Sequence, residues 1–340
     1  MSTSLPVELW RPVIAHVPEK DTLANLAQVS RFFQLEAERV LYRSVILTRP
    51  DDALALALTS RKRALLVEEC SLYLAPTRTS KSSVSSHPML NILARMRNLT
   101  SLSIRGPLPA TIKAFSFPFR LRTFCTTEAL SRPLIALLRA QPDITRLTLL
   151  NPALVSTPAI AGALPNAHAL ATLTPAPALA ILPHRPVTHL HILAWAHASL
   201  ADVAPRIGAS SGPLRALMCA QGLQLTPADM GLVALHMPNL SFLGDVSLTD
   251  DVSAYLPALA LLPLRTILIN RASSGLSARF SEPAVVRSLG RSCRDLDRVV
   301  FTQRVTANYV WERISPGADD WRMVRVEDPC EVAADLWRAA

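Results

Sequence analysis

The stretch Ile144-Thr145-Arg146-Leu147-Thr148-Leu149 decides how most of this chain folds. Its apolar residues stand at positions one, four and six of the motif, and the last four residues alternate as on a strand with one buried face. The same L-x-x-L-x-L spacing returns along the chain, separated by segments of about ten residues with helical periodicity. Clear copies begin at Leu99, Leu121, Ile144, Val187, Leu214, Leu240, Leu264 and Leu296, and weaker ones at Val45, Leu72 and Leu173.

The spacing of these copies identifies the repeat class. The copies at Leu214, Leu240 and Leu264 follow one another after 26 and 24 residues, and one strand with one helix at this period is typical of leucine-rich repeats. The chain resembles that family over most of its length, although the asparagine of the family's strand motif is mostly absent. The resemblance implies an α/β fold, a leucine-rich-repeat-like solenoid expected over residues 49–304, which offers a concave strand surface to a protein partner.

Alternation along each strand nominates the residues of that surface. If positions one, four and six are buried, positions three and five face outward on the concave side. An apolar run on successive copies, Met218, Phe242 and Leu268, is unusual for a solvated surface and is expected to form a contact patch. The candidate substrate-binding residues are Arg146, His189, His191, Met218, Phe242, Leu268 and Arg298.

The first fifty residues follow a different pattern, which predicts three short helices. Leu9, Val13 and Val17 recur every four residues, Pro18 ends this first helix, and Ser30 is placed to cap the third. Pro12 lies inside the first helix, where it removes a backbone donor and predicts a kink or a restart. A bundle of this size buries little by itself, so its apolar stripe requires a partner or the following domain.

Residues 1–48 resemble an F-box, as found at the N-terminus of many fungal proteins. The matching elements are an LPxELW start at Leu5, a TLxxLxxVSRxF middle at Thr22 and an LYRSVxL end at Leu41. The resemblance implies binding to a Skp1-type adaptor and, through it, to a cullin. The matching apolar positions, which sequence alone does not divide between adaptor contact and internal core, are Leu5, Pro6, Leu9, Ile14, Leu23, Leu26 and Val29.

Together the two resemblances imply the substrate-recognition subunit of a Skp1-cullin-F-box ubiquitin ligase, with an unknown protein substrate, no cofactor and no catalytic residues of its own. The alternative is a leucine-rich-repeat scaffold or interaction protein, whose N-terminal helices only cap the repeats. Residues 305–340 are expected to be a C-terminal cap, with Trp311, Trp321 and Trp337 on the last repeat, a strand at 321–326 and a helix at 331–338.

Two patterns raise the possibility of other chemistry. Gly208-Ala209-Ser210-Ser211-Gly212 fits the G-x-S-x-G of hydrolases, but here a helical segment precedes the serine and a strand follows, which is the reverse of a nucleophile elbow. His184, His189, His191 and His197 cluster in sequence, but no nearby cysteine or carboxylate completes a metal site. Repeat turns and structural histidines are the simpler interpretations.

Composition restricts the partners and the compartment. The net charge of +9 comes from 35 basic and 26 acidic residues scattered along the chain, and aromatic residues make up only 5%, so nucleic acid is not an expected partner. Five distant cysteines suggest small core residues in a reducing compartment, and no secretory signal is recognisable, so we expect a cytoplasmic or nuclear protein. The uncharged stretch between Arg146 and Arg185 is interrupted by prolines, which predicts distorted repeats rather than a membrane span.

Overall fold

The computed structural model describes residues 6–49, 52–74, 88–107, 117–153, 160, 162–183, 185–195, 199–219, 225–247, 252–270, 281–302, 308–314 and 320–326. Within these ranges the chain holds twelve α-helices and thirteen β-strands, which confirms the predicted α/β class. The chain divides into two compact units, Met1–Ile144 and Thr145–Ala340. The domain boundaries at residues 48 and 304 stay predictions.

The first unit begins with helices and continues with strands. Its elements are α1 (Val7–Ala15), α2 (Lys20–Val29), α3 (Arg31–Arg43), β1 (Ser44–Leu47), α4 (Ala53–Ala57), α5 (Arg61–Ala64), β2 (Glu69–Tyr73), α6 (Pro88–Leu93), β3 (Ser101–Arg105), β4 (Thr123–Thr126) and α7 (Arg132–Ala140). Strands β1 to β4 pair in chain order, and every pairing is parallel.

The second unit alternates strands and helices. Its elements are β5 (Arg146–Leu149), β6 (Ala169–Thr172), α8 (Pro175–Ile181), β7 (His189–Ile192), α9 (Leu200–Gly208), β8 (Ala216–Cys219), α10 (Pro227–His236), β9 (Phe242–Val246), a 3-10 turn (Val252–Ala254), α11 (Leu256–Leu259), β10 (Thr266–Asn270), α12 (Glu282–Ser292), β11 (Arg298–Thr302), β12 (Asn308–Arg313) and β13 (Trp321–Val326). Strands β5 to β11 are parallel neighbours in chain order, whereas β12 and β13 each run antiparallel to the strand before.

Each clear copy of the sequence motif supplies a strand, because its alternating apolar residues reach a common core. Position four of successive strands is in register, from Leu147 through Leu190 and Leu243 to Val299, and all four side chains are buried. The weak starts at Val45 and Leu72 are wrong, because these residues are in register with positions four and six of the Leu99 copy. The weak start at Leu173 is also wrong, since β6 ends at Thr172. Its motif is Ala167-His168-Ala169-Leu170-Ala171-Thr172, in which a buried alanine and a buried threonine replace the leucines of positions one and six.

A backbone hydrogen-bond pattern joins each repeat to the next at position two, immediately before the strand. The carbonyl oxygen of Thr188 accepts from the N–H groups of Arg215 (2.8 Å) and Ala216 (3.0 Å), and that of Arg215 accepts from Ser241 (2.8 Å) and Phe242 (3.0 Å). We call this series the carbonyl ladder. Its acceptors are Glu68 and Thr100 in the first unit, and Thr145, His168, Thr188, Arg215, Ser241 and Arg265 in the second.

The stretch rich in alanine and proline is more regular than expected where the structure describes it. Residues 162–183 contain strand β6 and helix α8, and Pro175 and Pro177 lie in the first turn of that helix. The backbone N–H groups of a first turn have no intrahelical acceptor, so prolines there cost little. Pro158 lies outside the described residues.

Strands β12 and β13 pack on the last parallel repeat. The Arg313 guanidinium lies 5.0 Å from the Trp321 ring and donates hydrogen bonds to the carbonyl oxygens of Gly290 (2.7 Å) and Arg294 (2.6 Å), at the end of α12. A Cβ on Gly290 would lie 2.8 Å from the Trp321 ring, so this glycine allows the ring to approach the helix. The predicted strand at 321–326 is confirmed, and the predicted helix at 331–338 and Trp337 lie outside the described residues.

Among the described residues, no helix combines the length and the apolar character that crossing a membrane requires.

Replacing two helical glycines in neighbouring repeats by alanine is expected to change stability in opposite directions. A Cβ at Gly208 would lie 2.5 Å from the carbonyl oxygen of His236, whereas a Cβ at Gly231 would meet no atom within 4 Å. We expect Gly208→Ala to destabilise the chain by about 1–3 kcal/mol through overpacking, and Gly231→Ala to stabilise it by about 0.5–1 kcal/mol through helix propensity. Urea unfolding followed by circular dichroism measures both, and equal effects would contradict the close approach of the two repeats.

Candidate functional sites

The three N-terminal helices have a small internal core. Ile14, Leu23 and Ala37 are buried, and partly buried side chains such as Trp10 and Phe33 surround them, with the two rings edge to face at 5.2 Å between centroids. The predicted cap at Ser30 is confirmed, because its hydroxyl accepts from the Phe33 N–H at 3.3 Å. Helix α1 continues through Pro12, so the predicted restart is wrong.

A buried carboxylate ties α1 to α3. Glu36 is 7% exposed, and its carboxylate accepts from Nε of Arg11 at 3.0 Å and from Nη1 of Arg39 at 3.2 Å. Burying a carboxylate is costly unless charged donors satisfy it. Because both arginines are largely exposed, forming these ion pairs costs them little desolvation free energy. The contact holds α1 against α3, although α1 buries few apolar side chains.

The structure divides the predicted adaptor-binding residues into two groups. Ile14 and Leu23 belong to the internal core, and Leu26 packs against it. Pro6, Leu9 and Val29 are exposed, Leu9 by 50% and Val29 by 66%. Leu5 lies outside the described residues.

Two further apolar side chains of these helices are exposed that the adaptor prediction did not include. Val13 is 51% exposed and Leu35 is 55% exposed. Val13 follows Leu9 by four residues and therefore shares its face of α1. The i, i+4 spacing of this pair is visible in the sequence, although it does not show that the pair is exposed. Leu35 lies two residues from both Phe33 and Ala37, which reach the core, and therefore on the opposite side of α3. Leu9, Val13, Val29 and Leu35 together are called the helical apolar surface below.

The strand face predicted to bind a substrate changes character along the second unit. Arg146, at the start of β5, is exposed, and His189, His191 and Met218 are half-buried. Arg298, at the start of β11, is exposed and forms an ion pair with Glu312 on β12 at 3.3 Å. Substrate binding by these residues stays a prediction.

The expectation that Phe242 and Leu268 are exposed is wrong. Both are buried, in an apolar cluster with Ala216, Val300 and Val310, against which Met218 packs. The physical reason lies in the small neighbours of Phe242, since a Cβ on Gly244 would lie 2.9 Å from the phenyl ring. The ring therefore occupies the space that a side chain at that position would fill, and the predicted contact patch is a second core.

Burial suppresses the charge of the two histidines on this face. It lowers the pKa of His191 to about 4. The pKa of His189 is also lowered, first by burial and then by the positive charges of Arg215, Arg146 and His168. Neutral imidazoles at pH 7 can ligate metals, but no group of three or more potential ligands gathers among the described residues. His184 and His197 lie outside them.

Arginines at position two of the motif were missed by the sequence reasoning. Arg122 begins the approach to β4 in the first unit, and Arg215 and Arg265 precede β8 and β10 in the second. All three are exposed. These arginines are recognisable in the sequence, because each one follows the first apolar residue of its copy. Alternation along the strand, however, predicts exposure only for positions three and five.

The serine of the hydrolase-like pattern lies in a repeat turn. The Ser210 hydroxyl is 2.9 Å from the carbonyl oxygen of Arg185 and 3.2 Å from that of Val187, between α9 and β8. An adjacent cavity of about 260 Å³ is lined by the turns that follow α9 and α10 and includes His236, without a carboxylate in its lining. The helix-before-strand order is as predicted from the sequence.

The described cysteines agree partly with the sequence prediction. Cys70, Cys219 and Cys293 are free and buried, which confirms them as core residues, whereas Cys125 is half-buried. Burial raises the pKa of Cys70 to about 12, so this thiol is protonated at neutral pH.

No family model matches this chain, and no curated protein is significantly similar to it.

The burial of Phe242 predicts that its loss lowers the stability of the fold, which the loss of a surface binding residue would not do. We expect Phe242→Ala to lower the free energy of unfolding by about 3–5 kcal/mol, because it leaves a cavity in the cluster. Leu235→Ala is the control, since Leu235 is 70% exposed and its loss costs about 0.5 kcal/mol or less. A Phe242→Ala variant as stable as this control would show that the ring is a surface group.

The buried His191 predicts acid sensitivity. Its pKa of about 4 in the folded chain lies below its ordinary value of 6.5, so the unfolded chain binds more protons between these pH values. Stability from this group is complete above pH 6.5 and is lost as the pH falls towards 4, with about 2 kcal/mol lost between pH 7 and pH 5. Urea unfolding at both pH values checks this, and His191→Gln should show a smaller loss. An NMR titration midpoint near 6.5 would contradict the burial.

Proposed function

We propose that this chain is the substrate-recognition subunit of a ubiquitin ligase of the Skp1-cullin-F-box type, acting in the cytoplasm or the nucleus. The observation that carries the proposal is the helical apolar surface, with four large apolar side chains at least half exposed on α1, α2 and α3. Two of them, Leu9 and Val29, are positions at which the F-box resemblance implies adaptor contact.

Physical reasoning supports a partner at this surface. Exposed apolar area costs roughly 25 cal/mol per Å² relative to burial, so a partner that covers Leu9 and Val13, which share a face of α1, would gain free energy from their burial. The core side chains of Ile14, Leu23 and Ala37 are already buried against one another within the helices. The exposed side chains are thus available for an adaptor without loss of the internal core.

The repeats supply the second half of the proposal. Parallel strands β5 to β11 place equivalent positions side by side, which gives an extended surface with several independent contact points. Arg146, His189 and His191 lie on the part of this surface that the second core does not occupy. A protein substrate held there and an adaptor bound at the helices would use separate residues.

The adaptor contact is tested with a double variant of exposed residues. We expect Leu9→Asp with Val29→Asp, in the full chain, to weaken binding of a purified Skp1-type adaptor by about a hundredfold, because carboxylates would be buried in the interface. Isothermal titration calorimetry measures the affinity, and circular dichroism checks the fold. Leu26 is unsuitable for this purpose, because it packs against the core and its replacement would unfold the helices.

The matched control carries the same substitution at exposed leucines of the second unit. Leu235 and Leu261 are 70% and 73% exposed, and Leu235→Asp with Leu261→Asp should leave adaptor binding unchanged. A folded Leu9/Val29 variant that binds with unaltered affinity would refute the adaptor contact. A wild-type chain that does not bind the adaptor would favour the scaffold alternative, with the helices as part of the repeat structure.

A further inference from the structure

A row of basic side chains follows the edge of the second unit at which the parallel strands begin. Arg215 and Arg265 occupy position two before β8 and β10, His168 occupies position two before β6, and Arg146 is the first residue of β5. All four are exposed, and within the described part of the chain no carboxylate forms an ion pair with any of them. We call this row the basic edge.

The carbonyl ladder fixes the spacing of the basic edge. The backbone of each position-two residue is held by hydrogen bonds of 2.8–3.1 Å to the next repeat, and neighbouring strands lie about 4.8 Å apart. Five strand steps separate β5 from β10, so the row extends over about 24 Å. The charges of Arg146, Arg215 and Arg265 are thus presented along a line rather than gathered at one point.

This spacing selects among anionic ligands. Arg215 lies three strands from Arg146 and two from Arg265, so the anchoring backbones of these arginines are about 10–15 Å apart. A single phosphate group is compact and favours donors that converge on it, whereas an extended peptide rises about 3.3 Å per residue and directs alternate side chains to one side. Carboxylates repeated along such a peptide match a linear row of single positive charges.

The surroundings of the row favour a peptide over nucleic acid. Among position-two and position-three residues from β5 to β10 the single phenylalanine, tyrosine or tryptophan is Phe242, which is buried, so base stacking would have to use the two histidines, His168 and His189. Thr188 and Ser241 fill the intervening position-two sites with hydroxyl groups. The row ends at β11, where Asp297 occupies position two and Glu312 pairs with Arg298, so the positive potential does not widen into a face.

We infer that the basic edge binds an extended segment of a partner protein in which aspartate or glutamate recurs along the chain. This inference rests on the proposed function, because it names the chemical class of the substrate that the repeats would hold. It adds Arg215 and Arg265 to Arg146 as contact residues. Arg298, which is paired with Glu312, is outside this contact.

The experiment uses the full chain and a labelled peptide of about twelve residues, long enough to span the row, in which glutamate and serine alternate. We expect Arg215→Glu with Arg265→Glu to weaken peptide binding about tenfold or more, since each attraction becomes a repulsion. Fluorescence anisotropy at low and high salt measures the affinity, and wild-type binding should fall as salt screens the charges. The matched control is Arg206→Glu with Arg287→Glu, which changes the net charge equally at exposed residues of α9 and α12 and should retain binding.

The remaining outcomes separate this inference from its competitors. A peptide with glutamine in place of glutamate should not bind, and equal binding would overturn the inference. Single-stranded DNA or phosphatidylserine vesicles that bind as tightly, with the same loss in the Arg215/Arg265 variant, would show a general polyanion surface and overturn it too. The Skp1-type adaptor should bind the Arg215/Arg265 variant like the wild type, so a chain that binds acidic peptide but no adaptor would refute the proposed function alone.

Discussion

A single backbone carbonyl at position two, shared between two N–H groups of the following repeat, is the contact on which the repeat structure depends. It recurs before successive strands in both units, and it fixes where each strand begins relative to its neighbour. A hydrogen bond of this kind contributes only about 0.5–1.5 kcal/mol net. Its importance lies in position, because it sets the register that brings the position-four residues into one buried row.

Because the recurring donors and acceptors of this contact are backbone atoms, the side chain at position two varies, and Thr100, Thr188 and Ser241 add a hydroxyl donor to the same carbonyl oxygen. Glutamate, threonine, arginine, histidine and serine all occupy the position. The repeats therefore remain in register although their sequences are degenerate, and the surface charge at the strand starts can change without disturbing the core. At Arg215 and Arg265 the backbone thus holds the repeats in register, whereas the exposed side chain is available to a partner.

The sequence predicts those features that depend on local periodicity. Apolar triplets such as Leu214, Leu217 and Cys219 correctly locate strands. Periodicity fails to locate a strand where a small residue occupies a buried position that is usually leucine, as Ala167 does before β6. It also fails where burial comes from a segment distant in sequence, since Val310 of β12 helps to cover the face that carries Phe242 and Leu268.

The division of the N-terminal residues was beyond the sequence for a related reason. Helical spacing divides the apolar residues of α1 into two rows, one containing Leu9 and the other Ile14. Only the placement of α1 on α3, held in part by the Glu36 carboxylate, decides that the row of Leu9 is exposed and that Ile14 is buried. A residue's role at this site thus depends on the docking angle between helices, which no pattern within a single helix encodes.

The antiparallel hairpin β12–β13 limits how such a chain can grow. Between β5 and β11 each repeat donates two N–H groups to the position-two carbonyl oxygen of the repeat before, and its own position-two carbonyl oxygen accepts from the repeat after. A duplicated strand–helix segment inserted at any of these junctions would therefore find matching donors and acceptors on both sides. At β11 this interchangeability ends, because the Asp297 carbonyl accepts from the N–H of Arg313, at the far end of a strand that runs in the opposite direction. The hairpin therefore ends the series of interchangeable parallel repeats, and a duplicated segment would fit only on the β5 side of it.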